Sequence, residues 1–333
     1  MRRREFIGVL GGATVVWPIA ARAQRTGKLP RIGYLSDEPP DPNVFHSRDY
    51  ILARLHQLGY DDGRNIIVDY RYADGKAELL PSLATDLVAI PVDLIVAIGT
   101  PASRAALAAT RTIPIVMARI GDPVGYGLVS SVARPGGNAT AVSVFTQELA
   151  QKRLEVLKEA VPGLSRIAAL YEQNFPPSEN ELKQFMAAAP GLNVQVYPVA
   201  VSDPTYLKES STGVVSEITS KSPQALFVAS SLLFELIYPS QIVNLAFKSG
   251  LPALYIRREY VEIGGLMSYG VPYVEMCRAA AYDIAKILEG EKAGELPVQL
   301  PVKIELVVNL KAAKALGVTI PPLLLARADE IIE

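Results

Sequence analysis

Apolar residues recur along this chain in two periods: short runs that are continuous or alternating, separated by stretches with apolar residues three and four apart. Arg31-Ile-Gly-Tyr-Leu-Ser36 reads as a buried strand. Residues 44–58 carry Val44, Ile51, Leu55 and Leu58 at helical spacing, and Gly59 stops the helix. Residues 65–72 alternate in the β manner, 77–90 read as a helix, and Leu94 to Ile98 as the next strand. A second helix follows Thr100, another strand starts at Ile113, and 139–144 form one more after the turn Arg134-Pro-Gly-Gly-Asn138. Strands separated by helices of this length predict a parallel sheet with right-handed crossovers.

The pattern then restarts. Arg166-Ile-Ala-Ala-Leu-Tyr171 echoes the first strand, 193–197 the second, 225–230 the third and 251–255 the fourth. These are echoes of pattern more than of identity, and they predict two similar α/β lobes in series. No low-complexity linker divides them, which suits a hinge. A strand at 266–270, a helix at 274–288 and a strand at 304–308 exceed the second lobe's repeat and read as returns across the hinge. The tail, 321–330, reads as a docked terminal helix.

One stretch stands out. The strand ending at Gly99 turns straight into a helix, with Thr100 as a fitting N-cap and Pro101 as a fitting first helical residue. That geometry leaves the N–H groups of Ala102 and Ser103 off the strand end, where a carboxylate-sized anion would sit. Asp122 follows the next strand at the same sheet edge, so the pair is placed to hold the two ends of an amino acid. An ordinary βα turn and an ordinary loop aspartate explain the same residues. Ligands of open α/β sheets bind beyond the carboxyl ends of the strands. That rule nominates Ser36, Asp37, Gly99, Thr100, Ala102 and Asp122 in the first lobe, and Tyr171, Glu172, Ser230 and Ser231 in the second. Arg257 and Glu259 reach the same edge, where a surface salt-bridge cluster accounts for them.

Composition narrows the chemistry. The 333 residues suit two domains, and half of them are hydrophobic. Basic and acidic residues nearly balance, 33 against 34. Residues 1–23 hold four arginines and one glutamate, so the remainder is net acidic and nucleic acid is not an expected partner. The single cysteine, Cys277, reads as a buried thiol on a helix and permits no intrachain disulfide. With only His46 and His56 besides, no metal site is expected. No dinucleotide fingerprint opens a helix beyond residue 23, and no Walker sequence or nucleophile elbow occurs, so no cofactor and no enzyme activity are expected.

Residues 1–23 read as an export signal: a basic start, an apolar run, and Ala21-Arg22-Ala23 as a small-x-small cleavage site. Arg3-Arg4-Glu5-Phe6-Ile7 resembles the twin-arginine signal; a general secretory signal is the alternative. Either predicts a periplasmic protein without stable membrane insertion, cleaved near Ala23.

Several stretches in one order carry a family resemblance over essentially all of the remaining chain. They include Leu58-Gly-Tyr-Asp-Asp-Gly-Arg-Asn-Ile66, Ile98-Gly-Thr-Pro-Ala102, Gly121-Asp-Pro-Val124, Ala133-Arg-Pro-Gly-Gly-Asn138, Gly264-Gly-Leu-Met-Ser-Tyr-Gly270 and residues 309–322. In these the chain resembles the substrate-binding proteins of ABC transporters, in the family whose characterised members bind tryptophan and other aromatic amino acids. The resemblance implies a type I periplasmic-binding-protein fold: two doubly wound parallel-sheet lobes joined by a three-crossover hinge. The first lobe would span 28–143 with about 270–298, and the second 144–267 with about 299–330. It implies a monomer that closes on a small carboxylate-bearing solute and delivers it to a permease with its ATPase. A sensor presenting its ligand to a receptor or kinase is the alternative. Thr100 and its neighbours, Pro101 included, would take the ligand carboxylate. Asp122 would meet an ammonium, and Ser143 and Tyr269 would lie at crossovers. The chain departs from the family in the second lobe. Glu172-Gln173 replaces a common Asn-Pro pair, and Ser230-Ser-Leu-Leu-Phe234 a polar or acidic start, so aromatic selectivity is the narrower expectation.

Overall fold

The computed structural model describes residues 28–39, 47–144, 146–202, 207, 212–231 and 233–333. The export segment and His46 lie outside them. The first sheet is built from β1 (Arg31–Ser36), β2 (Ile67–Tyr72), β3 (Leu94–Ile98), β4 (Ile115–Ile120) and β5 (Ala139–Ser143), in the order β2-β1-β3-β4-β5. Every pair is parallel, and Ile32 lies opposite both Val68 and Leu94. An all-parallel sheet needs cover on both faces, which is why β3 is apolar on both sides and β5 is buried throughout. One face packs Leu35, Ile95 and Met117 against Leu80, Ala84 and Leu87 of α2 (Leu80–Ala89) and Ala102 and Ala106 of α3 (Thr100–Ala109). The other packs Tyr34, Leu94 and Val116 against Ile51 and Leu55 of α1 (Ser47–Gln57). The rest of that cover arrives late in the chain: Cys277, Ala280, Ala281 and Ile284 of the helix Tyr273–Glu289. Cys277 is a buried free thiol whose pKa burial pushes up, as expected of a packing residue.

The second sheet has seven strands, ordered β12-β11-β10-β9-β8-β6-β7. They are β6 (Arg166–Glu172), β7 (Gln195–Val201), β8 (Ala225–Val228), β9 (Ala253–Tyr255), β10 (Met267–Gly270), β11 (Glu305–Asn309) and β12 (Glu330–Ile332). Only β10 and β11 run antiparallel. Helices α4 (Thr146–Ala160) and α5 (Pro176–Ala188) cover one face, where Phe185 stacks on Phe227 with ring centroids 3.9 Å apart.

The tail differs from the predicted helix. It makes one short helix, Pro322–Leu325, and then enters the sheet as β12 beside β11. The Asp329 N–H donates to the Leu306 carbonyl, and the Leu306 N–H donates to Asp329 Oδ2, both at 2.9 Å. An open edge of β11 offers this backbone pairing, and it outweighs the local helical pattern.

Three connections join the lobes. The chain leaves β5 for α4, leaves β10 for the helix Tyr273–Glu289, and returns through Gln299 to β11. At the third, the Ser143 N–H donates to the Gln299 carbonyl at 2.9 Å, tying two crossings together. At the second, a Cβ on Gly270 would stand 1.9 Å from the Ile256 carbonyl oxygen, so only glycine fits where this crossing passes β9. Among the described residues no helix is long and apolar enough to cross a membrane.

Candidate functional site

The carboxyl ends of both sheets face a cleft of about 780 Å³, its open mouth included. The first lobe contributes Asp37, Gly99, Thr100, Pro101, Arg119 and Tyr126 to its wall. The second contributes Arg153, Phe175, Pro177, Ser230, Glu235 and Arg257. The hinge supplies Val144 and Val271, and the helix over the first sheet supplies Tyr273 and Met276.

Each charged group has a sequence-level reason for its position. Arg119 is the penultimate residue of the apolar strand Ile115-Val-Met-Ala-Arg-Ile120, where a register shift against β5 between Met117 and Ile120 marks a bulge. Arg119 itself adopts φ +62°, a left-handed conformation that non-glycine residues rarely take. The bulge turns its guanidinium to the cleft, where it donates to Asp37 Oδ1 at 2.6 Å. Asp37 follows β1 directly; its side chain is 3 % exposed, and its Oδ2 has no hydrogen-bond partner among the described residues. Burial pushes its carboxyl up to about 6 despite Arg119. Arg119 is raised as well: burial opposes its charge, but Asp37 holds it above the ordinary guanidinium range.

The second lobe carries its own buried pair. Arg153 of α4 donates to Glu181 Oε1 and, through Nε, to the Tyr269 carbonyl at 2.9 Å. The Ser230 N–H donates to Glu181 Oε2 at 2.5 Å. Arg257 completes the wall, donating to Glu259 and Glu235, its guanidinium 4.2 Å from the centre of the Tyr273 ring. That contact joins the lobes, as does the bond from Asn180 Nδ2 to the Tyr126 hydroxyl at 3.2 Å.

The helix start differs in detail from the reading of the sequence. Gly99, at φ +87°, is the N-cap, and Thr100 is the first helical residue. Positive φ is what lets the strand turn into the helix without a linking loop. Ser103 donates both its N–H and its hydroxyl back to the Gly99 carbonyl, so its N–H is not available to a ligand. Pro101 has none, which leaves Thr100 and Ala102 as first-turn donors. Thr100 and Pro101 line the cleft; the Ala102 side chain is buried in the core.

Of the other nominated residues, Asp37 and Ser230 are on the cleft wall. Asp122 caps its own turn, its Oδ1 accepting the Gly125 N–H at 2.8 Å. Ser36 is buried and accepts the Glu38 N–H at 3.0 Å. The Ser143 hydroxyl donates to the Gly121 carbonyl at 2.8 Å. Tyr171 packs on the second lobe's core, and Glu172 accepts the Ser231 hydroxyl at 2.6 Å. Tyr269 touches both cores, at the hinge. Arg119, Arg153, Glu181 and Glu235 were not nominated. Arg119 had one signal, a lone cation near the end of an apolar strand. Arg257 is buried rather than part of a surface cluster; only its neighbour Arg258 reaches outward, to Glu262 and Glu330.

Comparison with known proteins agrees with this architecture. A curated relative, the Tyrosine-binding protein of Clostridioides difficile (strain R20291), is 28% identical over 275 residues, covering 83% of this chain and 77% of the relative. The crystal structure of an ABC domain in complex with L-Trp from Streptococcus pneumoniae matches at TM-score 0.80 and 28% identity, covering 92% of this chain and all (100%) of that one. The ligand-free, open structure of a substrate-binding protein with adhesive properties from Clostridium difficile matches at TM-score 0.67 and 25% identity, covering 91% of this chain and 99% of that one. The family model for the ABC transporter substrate binding protein matches residues 41–332. With two lobes, a three-stranded hinge and a lined cleft behind that match, the chain belongs to the ABC transporter substrate-binding proteins, a family that binds solutes and does not transform them.

Proposed function

We propose that this protein captures a small carboxylate-bearing solute with an apolar or aromatic body, a large hydrophobic or aromatic amino acid, and delivers it to a membrane permease driven by an ATPase. The observation that carries the reading is the division of the cleft. Arg119 and the Thr100 turn make a cationic, donor-rich patch on the first lobe. Phe175, Pro177, Tyr126, Val271 and Met276 make an apolar wall around it. Among the described residues Arg119 donates to Asp37, and its fork retains donors for a second carboxylate. The names of the tyrosine-binding relative and the L-Trp-bound structure point the same way. In this reading the signal at 1–23 exports the chain to the periplasm. The solute bridges the lobes and shifts an open–closed equilibrium toward the closed form. The nearer match to the L-Trp-bound structure, 0.80 against 0.67 for the open one, is what a closed cleft gives.

The test is a thermal-shift screen of residues 24–333 against amino acids, aromatic acids, short branched acids and nucleosides. A solute that binds only the folded state raises the melting temperature with its concentration. The expected result is a rise with tyrosine, tryptophan or another large apolar amino acid. A rise with nucleosides alone overturns the reading. Thr100→Pro removes one first-turn N–H at a helical position that tolerates proline. It is expected to weaken the bound amino acid about tenfold with the fold intact.

A further inference from the structure

We propose that Asp37 receives the cationic amino group of the solute, so that the cleft selects α-amino acids over carboxylic acids of the same shape that lack that group. The assignment rests on reading the cleft as a carboxylate site. It replaces Asp122 as the ammonium partner, because Asp122 is bonded into its own turn.

Three observations carry it. Asp37 lines the cleft with a side chain 3 % exposed, yet its Oδ2 accepts nothing from the described residues. A buried carboxylate oxygen without a donor is costly, and native proteins rarely leave one without a purpose. Secondly, the position is built for this acid. Gly99 has no Cβ, and one placed there would stand 2.5 Å from Asp37 Oδ2. Thirdly, Asp37 and Arg119 are in contact at 2.6 Å. The ammonium and carboxylate of an α-amino acid are separated by one carbon, so a receptor for both ends must hold an anion and a cation side by side. A lone carboxylic acid would need only the arginine and would leave Oδ2 facing its own negative charge.

Proton binding competes with such a ligand. The charged and titratable groups facing Asp37 are Arg119 from β4, the adjacent Glu38, and Glu235 from the second lobe, with Tyr273 acting on Arg119. Burial holds the Asp37 carboxyl near 6 in the unliganded cleft, so lowering the pH through that value neutralises the acceptor.

The experiment measures binding of two pairs by titration calorimetry: L-tyrosine with 3-(4-hydroxyphenyl)propanoate, and L-tryptophan with 3-(indol-3-yl)propanoate. Wild-type protein should prefer the amino acid about ten- to hundredfold, the worth of a hydrogen bond between charged groups. Asp37→Asn keeps the size and the acceptor for Arg119, and should bring the two members of a pair within about threefold. In the wild type, the amino acid should lose about tenfold in affinity between pH 7 and pH 5, while the acid lacking the amino group should not. This second measurement needs no variant. A wild-type preference that survives Asp37→Asn unchanged overturns the assignment. So does a pH response that persists in the variant, which would place it on Glu38 or Glu235. Protein that binds neither pair overturns the reading of the cleft itself, whereas wild type that binds both members of a pair equally overturns only the role of Asp37.

Discussion

Two buried arginine–carboxylate pairs, Asp37–Arg119 in the first lobe and Glu181–Arg153 in the second, stand at the cleft and are finished differently. In the second lobe both oxygens of Glu181 are occupied, one by Arg153 and one by the Ser230 N–H, and Arg153 also holds the Tyr269 carbonyl. Burial raises the Glu181 pKa and lowers that of Arg153, against their mutual attraction. Every polar atom of the carboxylate is nonetheless satisfied within the protein. In the first lobe Arg119 occupies one oxygen of Asp37 and the other has no partner. Similar burial thus yields a structural strut in one lobe and an incomplete receptor in the other. What separates them is the hydrogen-bond count, which neither charge nor exposure reveals.

The largest expected effect tests the strut. Glu181→Ala leaves the Arg153 guanidinium buried and unpaired, and breaking such a pair costs about 3–5 kcal/mol. Denaturant unfolding should show that loss with or without ligand. A loss confined to ligand affinity would erase the distinction between the pairs. Asp283 sharpens it from outside the cleft. This carboxylate on the helix Tyr273–Glu289 is fully buried and has no arginine; Oδ1 accepts from Gln299 at 3.1 Å and Oδ2 is unpartnered. Burial pushes it up to about 7. A folded-state value above the unfolded one favours the protonated form, so its contribution is full below about pH 4 and is lost as pH rises to about 7. Relative to wild type, Asp283→Asn should therefore gain about 2–4 kcal/mol in unfolding free energy between pH 4 and pH 8. A gap that stays constant with pH would show that Asp283 titrates normally. The smallest effect concerns closure. Tyr126→Phe deletes the bond from Asn180 between the lobes. It should weaken solute binding about threefold and leave the melting temperature of the unliganded protein unchanged.

The elements were legible from periodicity because periodicity is local. The strands of the first sheet, the echo in the second and the late helix at 274–288 all came from residues within a few turns of one another. The cleft's chemistry was less so. Asp37 and Gly99 follow from the rule about strand ends, but that rule ranks Asp37 no higher than Ser36 or Asp122. The choice depends on which side chain stays unbonded after folding. Arg119 was hidden by a bulge, which rotates a residue out of the strand's alternation. Arg257 sits next to Arg258 and Glu259, and adjacency suggested one surface cluster. In the fold Arg257 turns inward, beneath the Tyr273 ring contributed by the other lobe. The tail's strand depended on an open edge of β11, a partner in space that helical spacing cannot register.

The cover of the first sheet has a consequence for the order in which the chain is made. That sheet is complete once Ser143 has been synthesised, but one of its faces has only α1 over it until the helix Tyr273–Glu289 emerges from the ribosome. Val116 and Val142, on the two strands that this helix covers, wait for it while the whole second lobe is translated. The first lobe therefore cannot finish folding first, although it is made first, and a nascent chain halted before residue 273 presents an open apolar sheet to whatever chaperone stands nearest.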